Sequence, residues 1–577
     1  MTNIDVLNEL AKRRGFFFSA NDSYGGLAGF YAYGPMGAAL KSNIENSWRT
    51  KFVIGEGHFE ISTPTISPSP VFKASGHLDG FDDLLITCST CEISYRADHL
   101  LESQHTLLQS SDVSAKEFKK LLSKYSLACP SCKNILDDST LQEFNLMFAT
   151  KVGPGSQTPG YLRPETAQGI FVEFPRLSDY ARGKLPFGVA QIGTSYRNEI
   201  SPRKGLTRLR EFTQAELELF IHPADLGPEI TPTTTKLPLY SVSQQESNGN
   251  IEFVTPIEAI DQNIIENRWL AYYLELSTNW YDSIGIDLTR FRYRQHMPSE
   301  LAHYASDCWD AEVEIDGDWI EITGFAHRGN YDLSKHNTHS SADFTMFIPL
   351  DEPQEKLQTN LNPDMGYFGP TFGKLTPEIL SKIDEMASED STIFDSPELS
   401  VEIDGTTHSI PSEYLHPTTE KITVTGEHIL PHVIEPSFGI DRIIYSILAH
   451  TFHEDTIDGE ARSLLSLPSS ISPIFVGVFP LLTRDDLDTV SQDIASNLRT
   501  SGLSVLYDES GSIGKRYRRQ DEVGTPFCVT VDHQYFEDQT VTLRERNSAM
   551  QIRIDFDSLS TILESLRNGS SIFSDLK

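Results

Sequence analysis

The chain has 577 residues, and 47 Lys and Arg against 82 Asp and Glu give a formal net charge of −35 at pH 7. This length predicts about three or four domains, and 38% hydrophobic with 10% aromatic residues excludes a largely disordered chain. The negative charge argues against broad nucleic-acid affinity through bulk electrostatics, although a local basic site can stand on an acidic body.

The N-terminal part predicts short helices and turns before a first strand. Residues 1–15 predict a charged amphipathic helix without the apolar segment of a signal peptide. Leu40, Ile44, Trp48 and Phe52 recur at four-residue steps and predict one apolar face of a helix. A short strand-like run follows and ends at Pro64. No apolar run approaches the roughly 20 residues of a membrane-spanning helix, so we expect a cytoplasmic protein without a membrane segment.

Four of the six cysteines form two Cys-x-x-Cys pairs, Cys88 with Cys91 and Cys129 with Cys132. Four thiolates can close a tetrahedral structural Zn²⁺ site. The separation between the pairs exceeds the usual spacing of about 15–20 residues, so we expect a helical segment between them that folds back and brings the two pairs together. Four buried thiols without metal are the alternative. We expect the remaining cysteines, Cys308 and Cys528, to be buried and inert.

A charged hairpin follows the cysteine pairs. Residues 187–196 predict a strand and residues 210–220 predict its antiparallel partner. The mouth of the hairpin carries Arg197, Glu199 and Phe212. Arginine forms bidentate contacts with phosphate oxygens, a carboxylate accepts from an amino group such as that of adenine, and a phenyl ring can stack on a base. The hairpin therefore predicts a nucleotide site, with a solvated charged hairpin as the alternative.

A second constellation is Glu435-Pro-Ser-Phe-Gly-Ile-Asp-Arg442, which opens an apolar helix. Gly439 allows close backbone approach. Arg442 lies in the first helical turn, near the helix N-terminus, where phosphates are favoured. An ordinary strand-to-helix corner is the alternative interpretation.

The last part of the chain, from about residue 473, alternates strands and helices as in βαβ units of a separate α/β domain. It carries a basic cluster, Lys515, Arg516, Arg518 and Arg519. In an acidic chain such a cluster can bind a phosphate backbone, and a solvated basic turn is the alternative.

The two constellations, in this order, resemble motifs 2 and 3 of class II aminoacyl-tRNA synthetases, and residues 38–64 resemble motif 1, a dimer-interface element. Longer segments resemble the glycyl-tRNA synthetase family in its dimeric archaeal and eukaryotic form. These segments are KASGH at 73–77, RADHL at 96–100, YLRPETAQG at 161–169, RNEISPR at 197–203, REFTQAE at 210–216, EPSFG at 435–439 and GSIGKRYRR at 511–519.

The resemblance implies an α+β fold: a class II synthetase catalytic core with an antiparallel β-sheet flanked by helices, a C-terminal α/β anticodon-binding domain and a small four-cysteine zinc-knuckle insertion. The expected division is as follows: 1–87, N-terminal part of the core with motif 1; 88–132, four-cysteine insertion; 133–221, core with motif 2; 222–250, inserted loop; 251–350, core; 351–430, acidic insertion; 431–472, motif 3 and linker; 473–577, anticodon-binding domain.

The function that the resemblance implies is ATP-dependent attachment of glycine to tRNA(Gly) through a glycyl-adenylate. The implied partners are ATP, glycine, tRNA(Gly) and a second copy of the chain in a homodimer. Mg²⁺ would accompany ATP, with Glu321 on its side of the site, and Zn²⁺ would be structural.

The resemblance also assigns site residues position by position. Arg197, Glu199 and Arg442 would be catalytic. The implied ATP-binding residues are Arg197, Asn198, Glu199, Thr207, Arg208, Leu209, Arg210, Glu211, Phe212, Glu321, Ile322, Gly439, Ile440, Asp441 and Arg442. The implied glycine-binding residues are Arg96, Glu165, Phe212, Thr213, Gln214, Ala215, Glu216, Glu435, Pro436, Ser437, Phe438 and Gly439. Lys515, Arg516, Arg518 and Arg519 would bind tRNA.

Glycine offers only an ammonium, a carboxylate and two α-hydrogens for recognition. Glu165, Glu216, Glu435 and the Ser437 hydroxyl would supply negative charge for the ammonium, and tight packing at Cα would exclude any Cβ. Two rival functions are a synthetase-like binding protein without chemistry and a class II enzyme for another amino acid. The intact ATP-site set argues against the first rival, and the three glutamates argue against the second.

Overall fold

The computed structural model describes residues 3–104, 115–155, 158–202, 205–301, 307–389, 391–403, 406–457 and 459–576. Two compact units result: Met1–Phe344 with Leu430–Lys577, and Thr345–Ile429. Among the helices of the described residues, none combines the length and the apolar character that a membrane span requires.

A nine-stranded sheet forms the centre of the first unit. Its strands in chain order are β1 Phe59–Glu60, β2 Phe187–Tyr196, β3 Glu211–Ile221, β4 Leu237–Tyr240, β5 Glu252–Val254, β6 Phe291–Gln295, β7 Asp307–Ile315, β8 Asp318–Gly329 and β9 His432–Gly439. The spatial order is β5-β4-β6-β7-β8-β9-β3-β2-β1. The pairs β1–β2 and β4–β6 are parallel, and the other pairs are antiparallel. The predicted antiparallel core is therefore confirmed.

Residues 222–250 do not form a simple inserted loop. They contribute β4 to the central sheet, where Leu237 and Leu239 are fully buried. The strand is short and lies between stretches rich in Thr, Pro, Ser and Gln, so composition concealed it.

Helices cover the sheet. The longer ones are α1 Asn3–Arg14, α2 Pro35–Trp48, α3 Arg268–Ser283, α4 Tyr331–His339 and α5 Ile440–Thr451. Shorter helices in this unit are Ser69–Ala74, His77–Gly80, Ala167–Val172, Phe174–Tyr180, Val242–Ser247 and Pro256–Asp261. Three small sheets complete this part. Phe17–Ser19 pairs with Tyr31–Tyr33, and Phe452–Ile457 pairs with Glu460–Leu465. In the third sheet, Thr158–Leu162 is the central strand between Ile66–Pro68 and Ala149–Val152.

The apolar face of α2 lies inside the chain. Leu40, Ile44, Trp48 and Phe52 are all fully buried. Trp48 and Phe52 pack on Phe438 of β9 with ring centroids 5.7 and 4.7 Å away. The expectation that this face forms a dimer interface is therefore wrong: helical periodicity indicated burial correctly, but the partner is this chain's own sheet.

The cysteine pairs belong to a small layer with its own core, called here the four-cysteine layer. A three-stranded sheet of Asp82–Thr87, Ser94–Arg96 and Leu141–Asn145 packs with helices Ala97–Gln104 and Ala115–Tyr125. Phe118 and Leu122 of the second helix are buried against Cys88 and Cys129. Two helices thus fill the long interval between the cysteine pairs, as expected.

The C-terminal part is an α/β domain. Its strands are β10 Val476–Pro480, β11 Val505–Tyr507, β12 Phe527–Val531, β13 Thr540–Glu545 and β14 Gln551–Asp555, in the spatial order β11-β10-β12-β13-β14. Its helices are α6 Leu487–Thr500, α7 Ile513–Val523, Tyr535–Asp538 and α8 Phe556–Arg567. A separate apolar core fills the space between them. The predicted C-terminal α/β domain is confirmed.

The second unit, Thr345–Ile429, is a packed body of its own. The strands Met346–Asn360 and Thr418–Ile429 form a long antiparallel ribbon, and Glu398–Ile403 pairs with Thr406–Pro411. Helices Met365–Phe372 and Thr376–Glu389 bury Phe368, Ile379 and Ile383 against the short hairpin.

Candidate active site

A pocket of about 700 Å³ opens on one face of the central sheet. Residues between β2 and β3, the strands β3, β8 and β9 and the start of α5 provide its walls. Its lining includes eleven of the residues implied for ATP, namely Arg197, Glu199, Thr207, Arg208, Leu209, Phe212, Glu321, Ile322, Gly439, Asp441 and Arg442. Leu206, Thr213, Gln214, Gly324 and Ser437 complete it.

Arg197 lies between two aromatic rings. Its guanidinium carbon is 5.4 Å from the ring centroid of Phe212 and 5.5 Å from that of Phe81. Nε donates to the carbonyl oxygen of Pro164 at 3.1 Å. These contacts fix the guanidinium while leaving its other N–H groups available for an anion. The sequence patterns did not indicate Phe81, because it lies far from Arg197 along the chain.

Arg210 supports the motif 2 loop and does not line the pocket. Its guanidinium donates to the carbonyl oxygen of Glu199 at 2.8 and 3.0 Å and to that of Ala28 at 2.9 Å. Asn198 and Glu211 are also absent from the described lining. Of these three residues, Arg210 supports the loop that carries Glu199, and the backbone N–H of Asn198 donates to the carbonyl oxygen of Leu146. The Nε atom of Arg208 lies 3.8 Å from the Glu199 carboxylate.

Arg442 ties three elements together. Its Nε donates to the carbonyl oxygen of Thr207 at 2.9 Å, and one terminal nitrogen donates to the carbonyl oxygen of Glu321 at 2.8 Å. The same nitrogen lies 3.2 Å from the Glu321 carboxylate. Burial is the largest influence on the pKa of Glu321 and raises it, but the pairing with Arg442 and the charges of Arg197 and His296 together outweigh burial, so the pKa lies below its ordinary value.

Several implied site residues point into the protein. Ala215, Phe438 and Ile440 are fully buried in the main hydrophobic core, and Pro436 is also buried. Ala215, Pro436 and Phe438 lie on strands, where alternation sends their side chains away from the pocket, and Ile440 opens α5 with its side chain in the core. These four residues can therefore offer a ligand only backbone atoms.

Asp441 is a buried carboxylate with protein partners. It accepts hydrogen bonds from the backbone N–H of Thr213 and from the hydroxyl of Tyr33. Burial raises its pKa. Asp441 thus joins α5 to β3, and Tyr33 is a partner that no sequence pattern indicated.

Carboxylates gather next to Gln214 and Ser437, which line the other end of the pocket, although Glu165, Glu216 and Glu435 are not among the lining residues. One oxygen of Glu216 accepts from the backbone N–H groups of Thr166 and Ala167, both at 2.7 Å, and the other accepts from the Ser437 hydroxyl at 2.7 Å and the Gln214 amide at 2.9 Å. Glu216 is therefore fixed in one position.

Glu165 and Glu435 have different environments. Glu165 accepts from Gln168 at 3.0 Å and lies 3.7 Å from the His77 ring nitrogen. Glu435 accepts from Arg328 at 2.9 Å. Burial, despite Arg328, raises the pKa of Glu435 to about 8. Arg328, on β8, was not indicated by the sequence, since its partners come from distant segments.

Arg96 is linked through Asp83 to the side of the pocket that carries Glu199 and Arg208. Its guanidinium pairs with Asp83 at 3.1 Å and Asp98 at 2.8 Å. The carboxyl group of Asp83 is in turn within electrostatic range of Glu199 and Arg208. The described contacts of Arg96 include none of the glutamates at the glycine end.

The four paired cysteines converge. Cys88 Sγ lies 3.5 Å from Cys132 Sγ, and Cys91 Sγ lies 3.6 Å from Cys129 Sγ. All four sulfurs are within 4.8 Å of one another. A tetrahedron with Zn–S bonds of about 2.3 Å has edges of about 3.8 Å, so the four thiols fit a zinc ion.

The basic cluster of α7 is mostly occupied by internal contacts. Arg516 is 3% exposed, and it donates to the carbonyl oxygens of Pro480, Glu509 and Gly511. Arg519 pairs with Asp508, and Arg518 lies 3.7 Å from Glu460. Lys515 is exposed. The expectation of a four-cation surface is therefore wrong for Arg516, because helical periodicity turns it into the domain.

Comparisons with known proteins follow the same division of the chain. The family described as "tRNA synthetase class II core domain (G, H, P, S and T)" matches residues 156–237, and the one described as "Anticodon binding domain" matches residues 476–566. Glycine–tRNA ligases of three archaea are similar to this chain. The Methanothrix thermoacetophila protein is 45% identical, over 100% of this chain and 99% of its own. The Archaeoglobus fulgidus protein is 44% identical, over 98% of this chain and 97% of its own. The Methanocaldococcus jannaschii protein is 43% identical, over 97% of this chain and 98% of its own.

Proposed function

Because the chain belongs to the glycine–tRNA ligase family, and thus attaches glycine to tRNA with ATP through a glycyl-adenylate, we propose that the adenylate forms in the pocket between Arg197 and Ser437. One observation carries this proposal: a single pocket has an arginine between aromatic rings at one end, and at the other end Gln214 and Ser437, which both donate hydrogen bonds to the buried Glu216. The first end suits a nucleotide phosphate, and the second suits an ammonium group.

At the nucleotide end, Arg197 neutralises charge on the α-phosphate as the glycine carboxylate attacks it. Glu199 accepts from the adenine amino group, and Phe212 packs against the ring. Arg208 and Arg442 hold the γ-phosphate. This chemistry needs positioning and charge stabilisation and no general base, and the contacts that fix Arg197 and Arg442 before substrate binds support it.

Glu321 is the proposed protein contact on the Mg²⁺ side of ATP. The donor set suits the ion, because carboxylate oxygens are preferred Mg²⁺ ligands. A second carboxyl group is nearby: burial, and then the charge of Glu321, raise the pKa of Asp310 to about 6. When bound with ATP, Mg²⁺ supplies positive charge to the phosphate oxygens, and Glu321 orients toward it while remaining paired with Arg442.

At the glycine end, Glu216 and Glu435 receive the ammonium group. Ser437 and Gln214, which both donate toward Glu216, define the distance between ammonium and carboxylate. Gly324 lies opposite Ser437 in the sheet and lines the same pocket. A small pocket floor of this kind accepts glycine and excludes a larger amino acid by steric overlap.

Three further assignments extend the proposal. The four clustered thiols hold one structural Zn²⁺, which fixes the four-cysteine layer beside the nucleotide end. The C-terminal domain binds the anticodon arm of tRNA(Gly), with Lys515 as an exposed cation of α7. The work of the protein in translation supports a cytoplasmic location.

The homodimer uses the outer edge of the central sheet. β1 is the edge strand of the central sheet, and Phe59 on it is 38% exposed. Ile54 and Tyr180, 68% and 76% exposed, lie just before β1 and at the end of the helix Phe174–Tyr180. Exposed apolar side chains beside a free sheet edge are typical of a subunit interface.

Replacing Arg197 tests the nucleotide end. We expect Arg197→Ala to lower the rate of glycine-dependent ATP–pyrophosphate exchange by about 100-fold or more, because one preorganised charge donor is lost at the α-phosphate. Arg176→Ala is the matched control, since this arginine is an exposed surface residue. Exchange at the wild-type rate in the Arg197 variant would refute the assignment.

Zinc analysis tests the four-cysteine layer. Purified protein should contain about one zinc per chain, and Cys88→Ser should remove it, because the site then loses one of four thiolates. Cys528→Ala should retain zinc, since Cys528 is buried in another domain. A wild-type protein without zinc, in which all four thiols titrate freely in the native state, contradicts the prediction.

Light scattering at micromolar concentration tests the dimer. The wild-type mass should be near twice 64.7 kDa. Ile54→Lys should shift the mass toward the monomer, because the interface must then bury a charge. Ile135→Lys is the matched control, because Ile135 is equally exposed at 68% but lies in the four-cysteine layer. Full activity from a wild-type monomer would contradict the proposal.

Two neighbouring cations on α7 test the tRNA surface. Lys515→Ala should weaken tRNA binding and lower the salt slope of log Kd by up to about one unit, since one phosphate contact is lost. Arg516→Ala should instead lower the thermal stability of the domain, because it removes a buried guanidinium that satisfies three carbonyl oxygens. An unchanged slope for Lys515→Ala would mean that α7 does not face the RNA.

A further inference from the structure

Glu218 is a buried carboxyl group that no assigned role explains. It lies on β3, two residues beyond Glu216, and is fully buried. Neither of its carboxyl oxygens accepts a hydrogen bond from a donor among the described residues. The strand register pairs Glu216 with Ser437 and Leu219 with Ile434, which sets Glu218 opposite Glu435 of β9.

The surroundings of Glu218 contain more carboxyl groups than cations. Glu435 faces it from β9, Glu216 lies beside it on β3, and Asp332 approaches from α4. The cation in electrostatic range is Arg328 of β8, which donates twice to Asp332 and once to Glu435. Glu165, beyond Glu216, adds further negative charge near Glu435.

A buried carboxylate that accepts no hydrogen bond has a high free-energy cost, and an ionised neighbour directly across the sheet raises that cost further. The protonated form avoids both penalties. Burial, and then the charge of Glu435, raise the pKa of Glu218 well above its ordinary value.

We propose that Glu218 is held as a neutral carboxylic acid that donates its hydrogen to Glu435, so that Glu435 can meet the ammonium group of glycine as the only carboxylate of the pair. The inference rests on the proposed glycine pocket. The protons balance: when the ammonium binds, Glu435 releases its proton to solvent, and Glu218 keeps its own. Glu218 is thus a positioning residue that does not itself touch glycine.

Two substitutions separate the protonated acid from an ionised one. Glutamine keeps the shape and a donor but carries no charge, so Glu218→Gln should keep the KM for glycine within about 3-fold of wild type. Glu218→Leu has no donor, and it should raise the KM for glycine by about 10-fold or more, while the KM for ATP stays within about 2-fold. Both are measured by ATP–pyrophosphate exchange. A glutamine variant as impaired as the leucine variant overturns the proposal, as do two variants that both match wild type.

Infrared spectroscopy gives a second readout that does not depend on the leucine variant folding. In the wild-type protein saturated with glycine, a carboxylic acid carbonyl band should remain at pH 7, and Glu218→Gln should lack it. A spectrum unchanged by Glu218→Gln means that Glu218 is ionised, which overturns the proposal.

Glu435→Gln separates this inference from the proposed function. If the pocket binds glycine, this variant should raise the KM for glycine strongly, whatever Glu218 does. A normal KM for glycine in Glu435→Gln would therefore refute the glycine pocket itself. A raised KM in Glu435→Gln together with a normal KM in Glu218→Leu would refute only the role of Glu218.

Discussion

The antiparallel pairing of β3 with its neighbours β2 and β9 is the constraint on which the site depends. Because side chains alternate along a strand, Phe212, Gln214, Glu216 and Glu218 share the pocket face of β3. The intervening Ala215, Leu217 and Leu219 are buried in the core on the other face. A one-residue slip would exchange these two sets. The register that pairs Glu216 with Ser437 thus determines which side chains of β3 face the pocket and which pack in the hydrophobic core.

The pocket has opposite charge requirements at its two ends. In the proposed reaction, the phosphates of ATP need cations, for which Arg197, Arg208 and Arg442 are the candidates, and the ammonium group of glycine needs carboxylates. The two sets remain separate because each charged group is already held by neutral or opposite partners. Arg197 lies against aromatic rings and a carbonyl oxygen, and Glu216 accepts from backbone N–H groups and hydroxyls. Such contacts preorganise the charges before substrates arrive, which lowers the reorganisation needed during reaction.

Local patterns in the sequence predicted the parts of the site that lie on one strand or at one corner. The hairpin with Arg197, Glu199 and Phe212 follows from alternation and turn residues, and Arg442 follows from its place in a first helical turn. Phe81, Tyr33 and Arg328 were not predicted, because each meets the site only through tertiary packing. Periodicity also indicated that one face of α2 is buried, but it contains no information on which surface covers that face. The same limit explains why Arg516 was expected at the surface.

The internal pairing of cations has a consequence for RNA recognition. In the C-terminal domain, Asp521 binds Arg544 and also Arg462 of the preceding strand Glu460–Leu465, while Arg519 is bound to Asp508 and Arg516 to carbonyl oxygens. These arginines stabilise the domain. Because they are paired inside the protein, few of them can contact RNA phosphates and so displace the counterions bound there. On a chain of net charge −35, few exposed cations must also overcome general repulsion of the RNA. The number of cations in this domain therefore overstates the positive charge that it can offer to a phosphate backbone.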